Sequence, residues 1–112
     1  MNITEQRSGD VVVLELSGKI MGGPDAVVLN EKLHEFIKAG KTKIVADLKS
    51  VDWMNSSGLG ILIGGLTTMR NNNGDLKLAN ITDRIQSLLM ITKLLTVFET
   101  YETIDKAVES FK

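Results

Sequence analysis

Cysteine is absent from the 112-residue sequence, and histidine occurs once, as His34. Without cysteine the chain has no disulfide, no thiolate metal ligand and no cysteine nucleophile, a composition that fits a reducing compartment. His34 lies among charged residues of a predicted helix, so we interpret it as a solvated side chain. A lone histidine offers neither a multi-histidine metal site nor an evident base for a serine nucleophile. We therefore predict no metal, no catalytic residue and no enzyme activity.

Long apolar runs and blocks of like charge are also missing. The longest run of apolar residues and glycine, residues 58–66, is much shorter than the roughly 20 residues of a membrane-spanning helix. Residues 1–7 lack the basic and apolar segments of a signal peptide. The formal net charge is −1, and the densest lysine cluster, residues 38–43, contains only three lysines, so no basic face for nucleic acid is expected. We therefore expect a cytoplasmic protein that neither inserts into a membrane nor binds nucleic acid.

The residues that are present predict one α/β domain spanning residues 1–112. The apolar fraction of 43% and the charged fraction of 24% are ordinary for a globular protein. β-branched and apolar residues predict strands at residues 11–16 and 43–48, and a turn at residues 8–10 pairs the first with an N-terminal strand near Ile3. Shorter strand patterns occupy residues 75–79 and 97–98.

Apolar residues at helical spacing predict four helices between and after these strands. The first begins near Pro24, the second begins at Ser57, and the third and fourth begin at the capping residues Thr82 and Thr103. Residues 49–55 form a connection on this interpretation. Strands that alternate with helices predict a mostly parallel mixed β-sheet of about five strands with about four α-helices.

Three glycines at the start of the second helix, in residues 58–64, invite comparison with a dinucleotide-binding loop. Their spacing is not Gly-x-Gly-x-x-Gly, and the predicted connection before Gly58 is long rather than a tight turn. We therefore expect no cofactor. Instead, Gly60, Gly64 and Gly65 are expected to let this helix approach the sheet closely.

A polar segment, Asn55, Ser56 and Ser57, precedes Gly58 and the apolar pattern of the second helix. Each of the three side chains can accept a hydrogen bond from the free amides at a helix start. The local sequence leaves two interpretations open. The segment either caps the helix and does nothing else, or it forms a polar surface that binds a partner.

Residues 51–60, Val-Asp-Trp-Met-Asn-Ser-Ser-Gly-Leu-Gly, resemble the signature of STAS domains, in particular of bacterial anti-sigma factor antagonists. Similar stretches at residues 18–20, 44–48, 74–78 and 88–92 extend the resemblance over nearly the whole chain. It implies a STAS-like fold and a partner-switching regulator that binds an anti-sigma factor with serine kinase activity. In that family the first serine of the motif, here Ser56, is phosphorylated by the partner kinase, and the phosphorylated protein is released.

The resemblance also implies a partner-binding surface where the loops after parallel strands collect. Its expected members are Met21, Gly22, Gly23, Asn55, Ser56, Ser57, Gly58 and Leu59, although the Leu59 side chain faces either the partner or the sheet. Asn55 and Met21 stand where phosphorylated members of the family usually have Asp, so both positions lack a negative charge. An alternative therefore stays open: a STAS interaction or scaffold module that is not phosphorylated, such as a transporter subunit or a signalling-complex component.

Overall fold

The computed structural model describes residues 1–112 and contains five strands in one sheet, in the order β1-β2-β3-β4-β5, with four helices. The elements are β1 (Asn2–Ser8), β2 (Val11–Ile20), α1 (Pro24–Lys38), β3 (Lys43–Met54), α2 (Ser56–Asn71), β4 (Asp75–Ala79), α3 (Asp83–Ile91), β5 (Thr100–Tyr101) and α4 (Ile104–Glu109). β1 pairs with β2 in antiparallel fashion, and the other neighbours are parallel. The predicted mostly parallel mixed sheet is confirmed. None of the helices has the length and apolar character needed to cross a membrane.

Helices cover both faces of the sheet. Successive residues of a strand point to opposite faces, so neighbouring residues of β3 pack against different helices. On one face, Ile44 and Leu48 of β3 join a cluster of 22 buried residues with contributions from α1, α2 and α3. On the other face, Val45 packs with Ala107 and Val108 of α4. The central strand is therefore buried on both sides, which explains its continuous apolar sequence.

β3 is longer than the sequence predicts, and the expected connection at residues 49–55 is wrong. β3 continues to Met54 because β2 also continues, to Ile20, and the two extensions pair from Ser17 with Ser50 to Ile20 with Met54. Polar residues interrupt the apolar pattern in this part of β3, so only its pairing with β2 reveals the strand. One residue, Asn55, separates β3 from α2. The long connection that we expected before Gly58 is therefore not an argument against a dinucleotide-binding loop. The spacing of the glycines remains one.

The last strand also lies elsewhere than predicted. β5 is Thr100–Tyr101, paired with Leu78 and Ala79, and not residues 97–98. Phe98 lies in a turn rather than in a strand, and its side chain is buried in the core. In the same turn, the Val97 amide donates a hydrogen bond to the Leu94 carbonyl at 3.0 Å.

Of the three glycines expected to let α2 approach the sheet closely, only Gly65 is in close contact, with one residue of β4 and with α1. A β-carbon there would lie 3.1 Å from Cδ1 of Leu33 and 3.4 Å from Cδ1 of Leu76. Gly60 and Gly64 face open space beside a groove between α1 and α2. The prediction is therefore wrong for these two glycines, which lie on the side of α2 turned away from the sheet.

Candidate functional site

Asn55 is the N-cap of α2, and neither serine has that role. Its backbone is extended, with φ −108° and ψ −176°, and its Oδ1 accepts a hydrogen bond from the Gly58 amide at 2.8 Å. Ser56 and Ser57 follow in the first turn with exposed side chains. Since the cap is supplied by Asn55, both serine hydroxyls are free to meet another molecule.

The loop between β2 and α1 packs against this helix start. Gly22 has a φ of +101°, and a β-carbon there would lie 3.0 Å from Cβ of Ser57. A β-carbon on Gly58 would overlap the carbonyl oxygen of Ile20, so the backbones of α2 and β2 are in direct contact. The structure thus brings residues 21–23 and residues 55–58 together at one end of the sheet, as the sequence predicts.

Three large apolar side chains are exposed around this polar centre: Met21 at 48%, Trp53 at 41% and Ile91 at 79%. Met21 and Trp53 line one groove, whereas Trp53, Ser56 and Ile91 line a neighbouring groove of about 540 Å³. We call Met21, Trp53, Ser56, Ser57 and Ile91 together the Ser56 surface. Exposed apolar side chains grouped around polar ones are typical of a protein interaction site.

Sequence reasoning missed the contribution of α3 to this site. Arg84, in the first turn of α3, places its guanidinium carbon 4.4 Å from the centroid of the Trp53 ring, a cation–π contact. Leu88 and Ile91 of the same helix line the groove with Ser56. One signal was present in the sequence: Met90 and Ile91 are apolar residues outside the buried face of α3, which consists of Ile85 and Leu89.

Two of the expected site residues are buried. Leu59 is 1% exposed and belongs to the main core. Of the two orientations that the sequence left open, its side chain therefore faces the sheet and not a partner. Gly58 is buried against β2. Because a helix turns by about 100° per residue, Leu59 points to the side of α2 opposite Ser57. These two residues hold α2 in place and contribute no side chain to the Ser56 surface.

The charges near Ser56 are few. Lys19 and Asp52 line the groove that contains Met21 and Trp53. Arg84 is the only charged residue among those lining the groove that contains Ser56. No group of three or more His, Asp or Glu side chains is placed to hold a metal ion.

The STAS domain model matches residues 2–107. The chain belongs to the STAS domain family. It is 29% identical over 99 residues to the anti-sigma-B factor antagonist of Bacillus subtilis (strain 168), which covers 88% of this chain and 89% of that protein. The anti-sigma-B factor antagonist of Staphylococcus aureus (strain NCTC 8325 / PS 47) is 35% identical over 66 residues, 59% of this chain and 61% of that protein.

Solved structures show the same fold. A Thermotoga maritima crystal structure, described as that of a candidate anti-sigma factor antagonist, superposes with a TM-score of 0.85 at 23% identity. The match covers 96% of this STAS domain and 92% of the Thermotoga chain. The STAS-like α/β fold expected from residues 51–60 is therefore confirmed.

Proposed function

We propose that this STAS domain is an anti-sigma factor antagonist. It binds an anti-sigma factor with serine kinase activity through the Ser56 surface, and phosphorylation of Ser56 releases it. The observation that carries the proposal is the exposed Ser56 hydroxyl at the start of α2, flanked by exposed Met21, Trp53 and Ile91. The names of the Bacillus and Staphylococcus relatives support the same role. On this proposal the protein acts in the cytoplasm and has no enzyme activity of its own.

Binding through this surface combines apolar burial with a polar centre. Covering Met21, Trp53 and Ile91 removes apolar area from water, which is worth about 25 cal/mol per Å² before the costs of association. Ser56 lines the same groove as Trp53 and Ile91, and Met21 lines the neighbouring groove with Trp53. A partner that covers Trp53 and Ile91 would therefore also cover a phosphate added to Ser56.

Phosphorylation transfers the γ-phosphoryl group of ATP to Oγ of Ser56. The Oγ–P bond forms as the bond from the γ-phosphorus to the β–γ bridging oxygen breaks, ADP leaves, and the hydroxyl proton passes to a base of the kinase. The product carries about −1.5 to −2 charges, which the free domain tolerates because the start of α2 has a positive dipole end. In a closed interface the same charge loses its water, so the complex dissociates while the domain stays folded.

A second candidate function keeps the binding surface without the switch. Asn55 and Met21 provide no carboxylate at the two positions where phosphorylated family members usually have one. If either acid orients or deprotonates the serine, transfer to Ser56 is slow here although partner binding persists. The domain would then be a constitutive interaction or scaffold module.

Phosphate-affinity electrophoresis separates the two candidates. Wild type, Ser56→Ala and the matched variant Ser57→Ala are each incubated with ATP and the kinase-type anti-sigma factors of the same genome, after each kinase is shown to be active. We expect a shifted band for wild type and Ser57→Ala and none for Ser56→Ala. An unshifted wild type beside an active kinase that binds it would support the scaffold module.

A binding measurement tests the surface itself. Trp53→Ala and Ile91→Ala are expected to weaken binding to the anti-sigma factor at least tenfold, since buried aromatic and aliphatic anchors dominate interface energetics. Val27→Ala is the matched control, because Val27 is 58% exposed but lines neither of the two grooves of the Ser56 surface. Equal affinities for all three variants would overturn the assignment of this surface.

A further inference from the structure

We propose that Arg84 is the phosphate-binding residue of this domain. When Ser56 is phosphorylated, the Arg84 guanidinium leaves the ring of Trp53 and pairs with the phosphate. The proposal rests on the proposed function in one respect only, the modification of Ser56. It adds a second role for the phosphate, which is to rearrange the binding surface as well as to charge it.

The positions of the three side chains carry this inference. Ser56 is the first residue of α2, Arg84 is the second residue of α3, and both line the groove of about 540 Å³ together with Trp53. Within that groove Arg84 is the only charged residue. A phosphate on Ser56 therefore has one cation available in the groove.

Arg84 is free to change its partner. Its side chain is exposed and forms no ion pair with a carboxylate, whereas the other two arginines, Arg7 and Arg70, each form one. The Trp53 ring, 4.4 Å from the guanidinium carbon, is its aromatic partner. A cation–π contact at an exposed site is weaker than the two parallel hydrogen bonds that a guanidinium makes to a phosphate.

Loss of the Arg84 contact changes Trp53, which belongs to the Ser56 surface. In the unmodified domain the guanidinium covers one part of the indole, which is 41% exposed. After phosphorylation the ring loses that support at the moment when charge enters the contact area. The modification and the apolar anchor are thereby linked through one side chain.

The test uses phosphoserine placed genetically at position 56, so no kinase is needed and the outcome does not depend on the kinase assay. Arg84 is one of three arginines, and its ¹⁵Nε–¹Hε resonance is assigned by comparison with Arg84→Gln. We expect this resonance to move downfield on phosphorylation, as the guanidinium leaves the shielding region of the indole ring. In ³¹P titrations, we expect the second pKa of the phosphate to rise by about half a unit or more in Arg84→Gln, and by less in Arg84→Lys.

Arg70→Gln is the matched control, because it removes an arginine from the far end of α2, the helix that begins with Ser56. The 16 residues of α2 separate it from Ser56 by roughly 20 Å, beyond the screening length of about 10 Å at 0.1 M salt. We expect its phosphate pKa to equal that of wild type. An unmoved Arg84 resonance, or equal phosphate pKa values in wild type and Arg84→Gln, would overturn the proposal while leaving the phosphorylation of Ser56 by a kinase untouched.

Discussion

Gly58 lies so close to Ile20 that a β-carbon on the glycine would overlap the carbonyl oxygen of the isoleucine. The first turn of α2 therefore lies directly on the last residue of β2. This backbone contact, with Gly22 against Ser57, holds the two loops of the site together. The contact of Gly58 with Ile20 involves backbone atoms, so we expect substitutions at Trp53, Ser56 and Ile91 to leave it in place.

Gly58→Ala is expected to destabilise the domain by about 2–3 kcal/mol or more, because the methyl group meets backbone that can move only with the strand. Gly60→Ala is the matched substitution, two residues along the same helix and facing open space. It is expected to be neutral or to stabilise by up to about 1 kcal/mol through helix propensity. Urea unfolding measures both, and similar stabilities for the two variants would contradict the close contact.

Asn55→Ala removes the cap of α2 and is expected to lower the free energy of unfolding by about 1 kcal/mol. Ser56→Ala is expected to change it by less than about 0.5 kcal/mol, since this exposed side chain is not the cap. Both free energies of unfolding are measured by chemical denaturation, and the comparison holds when the m-values of the variants equal that of wild type. A larger loss in Ser56→Ala than in Asn55→Ala would show that the serine has the structural role.

Restoring the missing acids is expected to speed the phosphorylation of Ser56. Asn55→Asp keeps the capping oxygen, and Met21→Asp puts a carboxylate in the loop that meets the start of α2. If these acids help to orient or deprotonate the hydroxyl, the initial rate with an anti-sigma kinase rises about tenfold or more in the double variant. Val27→Asp adds a charge on α1 as control, and equal rates in all variants would deny the acids a role.

Lys77 is expected to secure α4 to the sheet. Its side chain is 7% exposed, and Nζ donates hydrogen bonds to Oγ of Ser110 at 2.8 Å and to its carbonyl at 3.3 Å. Lys77→Met keeps the stem but loses both bonds, so we expect a loss of about 1–3 kcal/mol in unfolding experiments. Lys106→Met, which removes an exposed pair with Glu102, is expected to cost less than about 0.5 kcal/mol; equal losses would contradict the role of Lys77.

Asp10 is expected to make a pH-dependent contribution to the stability. The hydrogen bond and positive charge of Lys43, with Nζ 2.8 Å away, lower the pKa of Asp10 from its ordinary value of 3.8. A lowered folded-state pKa means that this contribution is present above the unfolded-state pKa and is lost as the pH falls through the folded-state pKa. We expect Asp10→Asn to be less stable than wild type at neutral pH, with a gap that closes in strong acid and in high salt. A gap of the same size at neutral pH and in strong acid would contradict the role of this ion pair.

Local sequence patterns predicted an element correctly where the residues that determine it lie within that element. The periodic apolar residues of α1 and α2 and the caps Thr82 and Thr103 appear in the structure as the sequence predicts. The second half of β3 was not predicted, because its polar residues adopt the strand conformation through pairing with β2. Phe98 misled for the opposite reason, since an apolar side chain fills the core equally well from a turn.

By itself the sequence determined the order of strands and helices, the STAS resemblance of residues 51–60 and the polar start of α2, because each depends on residues close together in the chain. Only the tertiary structure decided that Leu59 faces the core, that Gly22 lies against Ser57 and that Arg84 covers Trp53. These contacts join residues from different elements, and their distances depend on how the whole sheet and its helices pack.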